Sequence, residues 1–105
     1  MEYKIERNRN AMSTVEMFEV MKANLILISN HFSGKITITL KNNEVKEYYG
    51  HHLIRKMNKF LKHNDLDDVK VINLECYWMG FIFEQVDDNL WNYNAVSITR
   101  TKAIS

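Results

Sequence analysis

The residues best suited to chemistry lie in one segment of the chain, residues 50–63. It carries His51, His52 and His63 and no acid, while Gly50 precedes the histidines. Cations on one helix face can contact a phosphate backbone, and free backbone donors at a helix N-terminus can hold an anion. The pattern therefore supports nucleic-acid binding as one hypothesis, with an ordinary solvated helix face as the alternative. The cations concerned are Arg55, Lys56, Lys59 and Lys62.

Metal binding and nucleophilic catalysis are both disfavoured by the positions of the candidate residues. His51 and His52 are adjacent, and neighbours on a helix point about 100° apart, too far to chelate one ion. Cys76 stands in an apolar run, where burial disfavours the thiolate, so we predict a core residue. The chain has no nucleophile elbow, glycine-rich phosphate loop or zinc-binding pair. We therefore predict a protein that is not an enzyme and needs no metal or cofactor.

The run from Cys76 to Phe83 contains no charged side chain. Neighbouring side chains of a strand point to opposite faces, so such a run needs cover on both faces. A small domain rarely supplies both covers, and the excess apolar face predicts a protein partner or self-association. Packing in the core is the alternative interpretation. The candidate partner-binding residues are Tyr77, Trp78, Met79, Phe81, Phe83, Trp91 and Tyr93.

The first half of the chain must supply a strand and a helix. Alternation predicts a strand over Glu2–Arg7, followed by a loop at Asn8–Asn10. Ser13 and Glu16 form a capping box, which predicts a helix over about Thr14–Phe32 that stops at a left-handed Gly34. A buried strand over residues 25–28 is the alternative for its second half. The predicted buried stripe of the helix is Val15, Phe18, Met21, Leu25, Ile28 and Phe32.

The second half must supply four more strands and a second helix. One point stays open from sequence: Met79-Gly80 is either a hairpin turn, or Gly80 is a bulge in one long strand. Asp87-Asp88-Asn89 predicts a turn. The remaining predicted elements are strands over 35–41 and 44–49 joined at Asn42-Asn43, a helix over 51–63, a loop over 64–68, a strand over 69–76, a strand over 91–101 and a frayed end over 102–105.

The order β-α-β-β-α-β up to Cys76 is that of split, ferredoxin-like sandwiches. We therefore predict one α+β domain over residues 1–105, a two-layer sandwich with a C-terminal β extension or hairpin. The element order also resembles that of the small phosphocarriers of sugar uptake. Those proteins need a phosphorylatable His before the first helix, and Asn8–Met12 contains none. The RNA-recognition family shares the layout, but Tyr48 and Tyr49 lack its basic, glycine-containing motif.

Composition sets the remaining expectations. The 105 residues are 46% hydrophobic and 26% charged with a net charge of +1, so global charge does not recruit nucleic acid or membrane. A single cysteine and the lack of a visible signal peptide favour the cytoplasm. The abundance of Asn, Lys and Ile fits a bacterial, phage or mobile-element origin.

The sequence hypothesis is thus a non-catalytic protein-binding module. We expect a small phage or mobile-element inhibitor or adaptor that docks on a larger host protein, homodimerises through its aromatic sheet face, or does both. The alternative function is nucleic-acid binding through the basic helix over residues 51–63.

Overall fold

The computed structural model describes residues 2–99, with only the backbone at Glu2, Tyr3 and Thr99. Within this range the chain is an α+β domain with one antiparallel six-stranded sheet and two helices. Its elements are β1 Glu2–Met12, α1 Thr14–Ser29, β2 Lys35–Leu40, β3 Val45–Tyr49, α2 Leu53–His63, a short 3-10 turn Leu66–Asp68, β4 Val69–Glu75, β5 Met79–Asp87 and β6 Leu90–Thr99.

The strand order across the sheet is β1-β6-β5-β4-β2-β3. The predicted succession β-α-β-β-α-β up to β4 is confirmed, and the C-terminal extension is the hairpin of β5 and β6. The ferredoxin-like arrangement is not confirmed by this strand order, in which β1 pairs with β6 at one edge. The predicted frayed end over 102–105 lies outside the described residues.

The first strand is longer than the sequence predicted. Asn8–Asn10, expected as a loop, belongs to β1, because β6 supplies backbone partners for this polar stretch. The register shifts between Ile5 and Arg7 and again between Arg9 and Met12. Ala11, with a φ of 59°, lies in the second shift. Long-range pairing thus overrides a sequence that looks like a turn.

The start of α1 agrees with the prediction, and its end does not. Ser13 and Glu16 form the capping box, with the Glu16 N–H donating to Ser13 Oγ at 3.1 Å. The segment over 25–28 is helical, so its alternative as a strand is wrong. The helix ends at Ser29 instead of Phe32, and Asn30 caps it. Gly34 is not a left-handed stop, since Gly50 is the glycine with a positive φ in the described chain.

The buried stripe of α1 agrees with the predicted one at Met21, Leu25 and Ile28 and differs at its two ends. Met17 lies in the core, whereas Val15 and Phe32, predicted as core, are exposed. The prediction counted Val15 as the first member of the stripe and extended the helix three residues too far, to Phe32. In the structure, the side chains of Val15 and Phe32 are part of the surface.

The turn between β4 and β5 lies two residues earlier than the predicted turn at Met79-Gly80, and the alternative of one long strand with a bulge at Gly80 is also wrong. The Cys76 N–H donates to the Met79 carbonyl at 2.9 Å, so Tyr77 and Trp78 form the turn. Gly80 pairs with Glu75 in a regular ladder and is neither a turn nor a bulge. A Cβ on Gly80 would lie 3.1 Å from Val96 Cγ2 on the facing strand, which explains the small residue.

The core lies between the helices and one face of the sheet. Cys76 is buried within it, as the sequence predicted. Two buried side chains of the described residues are polar: Asn24 donates from Nδ2 to Tyr93 Oη at 3.0 Å, whereas the Gln85 amide has no hydrogen-bond partner among them. The largest fully buried side chains include Trp91, Phe83, Met12, Met17, Met21, Ile28, Ile36, Ile38, Leu53, Met57, Ile72 and Leu74.

Candidate protein interface

The seven candidate partner-binding residues fall into two groups. Phe81, Phe83, Trp91 and Tyr93 alternate with residues of the open sheet face and point under the helices, where they are buried. Phe83 and Tyr93 stack with ring centroids 4.9 Å apart. These four side chains are packed in the core, so none of them belongs to the exposed face of the sheet.

The second group lies at the β4–β5 turn. Tyr77 and Trp78 are 51% and 46% exposed, and Met79 is half-buried at the start of β5. The turn places both aromatic side chains beyond the end of the sheet, where neither helix covers them. Of the seven candidates, these residues remain available to a partner.

The loop between α1 and β2 lies against this turn. The Tyr77 N–H donates to Ser33 Oγ at 3.1 Å, and the rings of His31 and Trp78 meet edge to face with centroids 4.6 Å apart. Phe32, in the same loop, is 88% exposed. We call the surface formed by His31, Phe32, Tyr77 and Trp78 the end patch.

Hydrogen bonds hold the end patch in place. The Gly34 N–H donates to the His31 carbonyl at 3.0 Å, and the Gly34 carbonyl accepts from the Gly50 N–H at 3.2 Å. On the other side, the Trp78 carbonyl accepts from the Ile98 N–H at 2.9 Å. The patch therefore sits on loops tied to each other and to β6, which lowers the entropy lost when a partner binds.

No family model matches this chain, and no curated protein or solved structure is significantly similar to it. The candidate interface therefore rests on residue type, exposure and geometry alone.

Sequence reasoning missed two members of the end patch. The predicted helix places His31 and Phe32 in its last turn, so Phe32 is counted as a core residue in the sequence prediction. The signal that could have found them is the run of turn formers around them, Asn30 and Ser33-Gly34, which marks a loop.

Both edges of the sheet are poorly suited to pairing with another strand. At one edge, β3 is short and carries Lys46 and Glu47, with Glu44 just before it. At the other edge, β1 is interrupted by two register shifts and bears alternating charges. Charges, short length and bulges are the usual protections of an edge strand. A partner would therefore contact side-chain surfaces instead of extending the sheet.

The open face of the sheet is a mixed surface. Tyr49 lies there near Lys35, whose Nζ is 5.3 Å from its ring centroid. The Tyr49 hydroxyl donates to the Glu47 carboxylate, and this hydrogen bond raises the pKa of Tyr49 above its usual value. Other residues on this face are Thr37, Asn73, Ile82, Glu84 and Asn94.

The four cations of α2 do not form one equivalent set. Lys56 Nζ donates to the Tyr49 carbonyl at 2.7 Å, which ties it to β3. Arg55, Lys59 and Lys62 are exposed at i, i+4 and i+7, and none of them has an ion-pair partner in residues 2–99. A basic stripe of three residues thus runs along α2.

The histidines before α2 are not arranged as a metal site. The rings of His51 and His52 have centroids 6.4 Å apart, and His52 adopts a left-handed backbone with a φ of 63°. Across the described residues, no group of three or more His, Cys, Asp or Glu side chains is placed to hold a metal ion. Over the same part of the chain, neither helix has the length and apolar character needed to span a bilayer.

Proposed function

We propose that the protein is a non-catalytic protein-binding module whose partner docks on the end patch. In this proposal it is a small cytoplasmic adaptor or inhibitor, of the kind that phages and mobile elements use against larger host proteins. Self-association through the same patch is the homodimeric form of the proposal. The observation that carries it is Phe32, almost fully exposed beside two half-exposed aromatic residues.

The chemistry of the end patch supports this function. Trp, Tyr and Phe are enriched in protein interfaces because they bury a large area with few rotors to order. Full burial of one such side chain contributes about 1.5–3 kcal/mol. Because hydrogen bonds at Ser33 and Gly34 already hold the end patch in place, little of that free energy would be lost in ordering its loops when a partner binds.

The test replaces the exposed aromatic residues without touching the core. The double variant Phe32→Ser and Trp78→Ser is expected to keep its fold and to lose at least about tenfold in affinity for the natural partner, because hot-spot aromatics dominate interface energies. Tagged protein is expressed in its native host, and the proteins retained by the wild type and by the variant are quantified by mass spectrometry.

The matched control changes two apolar side chains at the opposite end of the sheet, Val45→Ser on β3 and Val86→Ser on β5, which are 51% and 47% exposed. A partner that binds the end patch is retained by the wild type and by this control but not by the double variant. Light scattering of the same proteins reports self-association. Equal retention by all three proteins, with a monomer in each case, would contradict the proposal.

The basic stripe of α2 supports a second candidate function, nucleic-acid binding. Its three cations project into solvent from one helix face and have no ion-pair partner in the described chain, so phosphates could neutralise them. The end patch is not on this stripe. The two functions therefore separate by mutation.

Charge reversal along the stripe tests the second candidate. The double variant Arg55→Glu and Lys59→Glu is expected to abolish salt-sensitive retention on single-stranded DNA and RNA columns, since each lost phosphate contact lowers the salt slope by about 0.7–0.9. Lys41→Glu with Lys70→Glu makes the same charge change elsewhere and serves as the control. If the wild type itself fails to bind at low salt, nucleic-acid binding is excluded.

A further inference from the structure

A long groove separates α1 from α2 on the side of the helices that faces away from the sheet. Thr14–Phe18 lie opposite Leu61–Asn64, and Ser29 lies opposite His52, so the helices are antiparallel. The groove has a wide section of about 680 Å³ and a narrow one of about 210 Å³, which meet at Phe18 and Leu61. We call this surface the helix groove.

The walls of the helix groove are apolar and uncovered. Ile26 of α1 and Ile54 of α2 line the same narrow section and are still 55% and 41% exposed. At the wide end, Val15 is 74% exposed. A helix with apolar residues on all sides is typical of one that is packed on all sides, and within residues 2–99 α1 is covered by the sheet and by one flank of α2.

Negative charge lies at one end of the helix groove, and positive charge lies along its whole length. Asp65 and Asp67 line the wide end, where α1 begins and α2 ends, and Lys62 lines the same section. Lys22 lines the narrow section, and Arg55 lies beyond it beside His52. Lys22 is paired with Glu19 at 3.1 Å, so the unbalanced positive charge comes mainly from α2. The gradient gives an elongated ligand a preferred direction.

We propose that the helix groove binds an amphipathic α-helix of a partner protein, with acidic residues beside its apolar face. A groove about as long as α2 fits roughly three helical turns, with apolar anchors spaced as i, i+3 or i+4, and i+7. The acidic flanks meet Lys62 and Arg55. The positive N-terminal end of the bound helix lies at Asp65 and Asp67, and its negative C-terminal end lies at Arg55.

Shape favours a single helix over a second copy of this chain. Two copies that meet through this surface would place one concave groove against another and leave the Ile26 and Ile54 walls unfilled. A single convex helix fills the groove and makes a third member of the helical layer, at the usual interaxial distance of about 8–10 Å. This surface is distinct from the end patch, so the inference does not depend on the proposed function.

The test uses a display library of random peptides of about 16 residues, long enough for four turns of helix. Peptides selected on the intact protein are synthesised with a fluorescent label, and their affinities are measured by anisotropy. We expect selected sequences with apolar residues at helical spacing and a net negative charge. Their circular dichroism is expected to show helix gained on binding.

Neighbouring residues of α1 supply a matched pair of variants. Ile26→Ser removes a groove wall and is expected to weaken peptide binding at least about tenfold. Leu27→Ser changes a residue of similar exposure, 51%, about 100° around the helix, and is expected to change affinity less than about twofold. Urea unfolding of both variants establishes that the fold is intact.

Three results would overturn the inference. They are the selection of no peptide or of extended or basic peptides, equal effects of Ile26→Ser and Leu27→Ser, and a wild-type dimer that Ile26→Ser dissociates. The last result would make the helix groove a contact between copies. The first two results do not bear on the end patch, whose variants change Phe32 and Trp78, whereas the third would also exclude its homodimeric form.

Discussion

Trp91→Ala is expected to lower the free energy of unfolding by about 3–5 kcal/mol, the cost of removing a large aromatic side chain from a packed core. Trp91 is fully buried, and its Nε1 donates to Thr14 Oγ1 at 3.0 Å at the start of α1. Its loss opens a cavity and removes one of the hydrogen bonds between β6 and α1, while that of Asn24 with Tyr93 remains. The total free energy of unfolding of a small domain is about 5–15 kcal/mol, so the Trp91→Ala variant would be only marginally stable.

The other tryptophan is the internal control for this prediction. Trp78 lies in the turn before β5, and Trp78→Ala is expected to change the free energy of unfolding by less than about 1 kcal/mol. Both variants are compared with the wild type by urea titration followed by circular dichroism. Equal costs for the two substitutions would mean that Trp78 is as much a core residue as Trp91, which would remove the basis for the end patch.

Gly34→Ala is expected to cost about 1–3 kcal/mol, because an added methyl group has no room. A Cβ on Gly34 would lie 2.8 Å from the Ile28 carbonyl oxygen and 2.8 Å from Leu53 Cδ1. The carbonyl belongs to the last part of α1 and cannot rotate away as a side chain can. The loop from Asn30 to Gly34 must therefore shift, which would also displace Phe32.

Replacement of the other two glycines by alanine is expected to lower the free energy of unfolding by less. Gly80→Ala meets a side-chain atom, Val96 Cγ2, at 3.1 Å instead of backbone, so a shift of a few tenths of an ångström relieves the contact and the expected cost is less than about 1 kcal/mol. Gly50→Ala has free space but a φ of +79°, which an alanine adopts at a cost of about 1 kcal/mol. Chemical denaturation of the three variants gives the order directly. A Gly34→Ala variant as stable as the wild type would contradict the close packing at this loop.

Local signals account for the elements that the sequence predicted well. The capping box at Ser13 and Glu16, the alternation over β2 and the helix predicted over residues 51–63 depend on neighbours within four residues along the chain. Asn43 and Asn89 both adopt the left-handed backbone in turns that the sequence predicted. These features form wherever the chain folds, so they can be inferred without tertiary information.

Long-range pairing explains where the sequence failed. Asn8–Asn10 looks like a loop on its own and becomes a strand because β6 lies beside it. The turn at Tyr77-Trp78 contains two residues that ordinarily favour strands, and it is set by the pairing of Glu75 with Gly80. Propensity is a weak guide wherever a partner strand supplies the hydrogen bonds.

The candidate site could be predicted only in part from the sequence, for the same reason. Tyr77 and Trp78 were found as members of an apolar run, but the run did not show that Phe81 and Phe83 face the helices. That distinction depends on the position of the turn. The helix groove had no sequence signal at all, because it arises only when α1 and α2 lie antiparallel at a fixed spacing.

The pairing of β1 with β6 has a consequence for how the chain reaches its native state. Partners such as Glu2 and Thr99 are separated by nearly the whole described chain, and closing so long a loop is entropically costly and slow. On a ribosome, β1 emerges first but has no neighbour until β6 has been made. Until β1 pairs with β6, the backbone N–H and C=O groups along that edge of β6 are unpaired and can bind another extended chain.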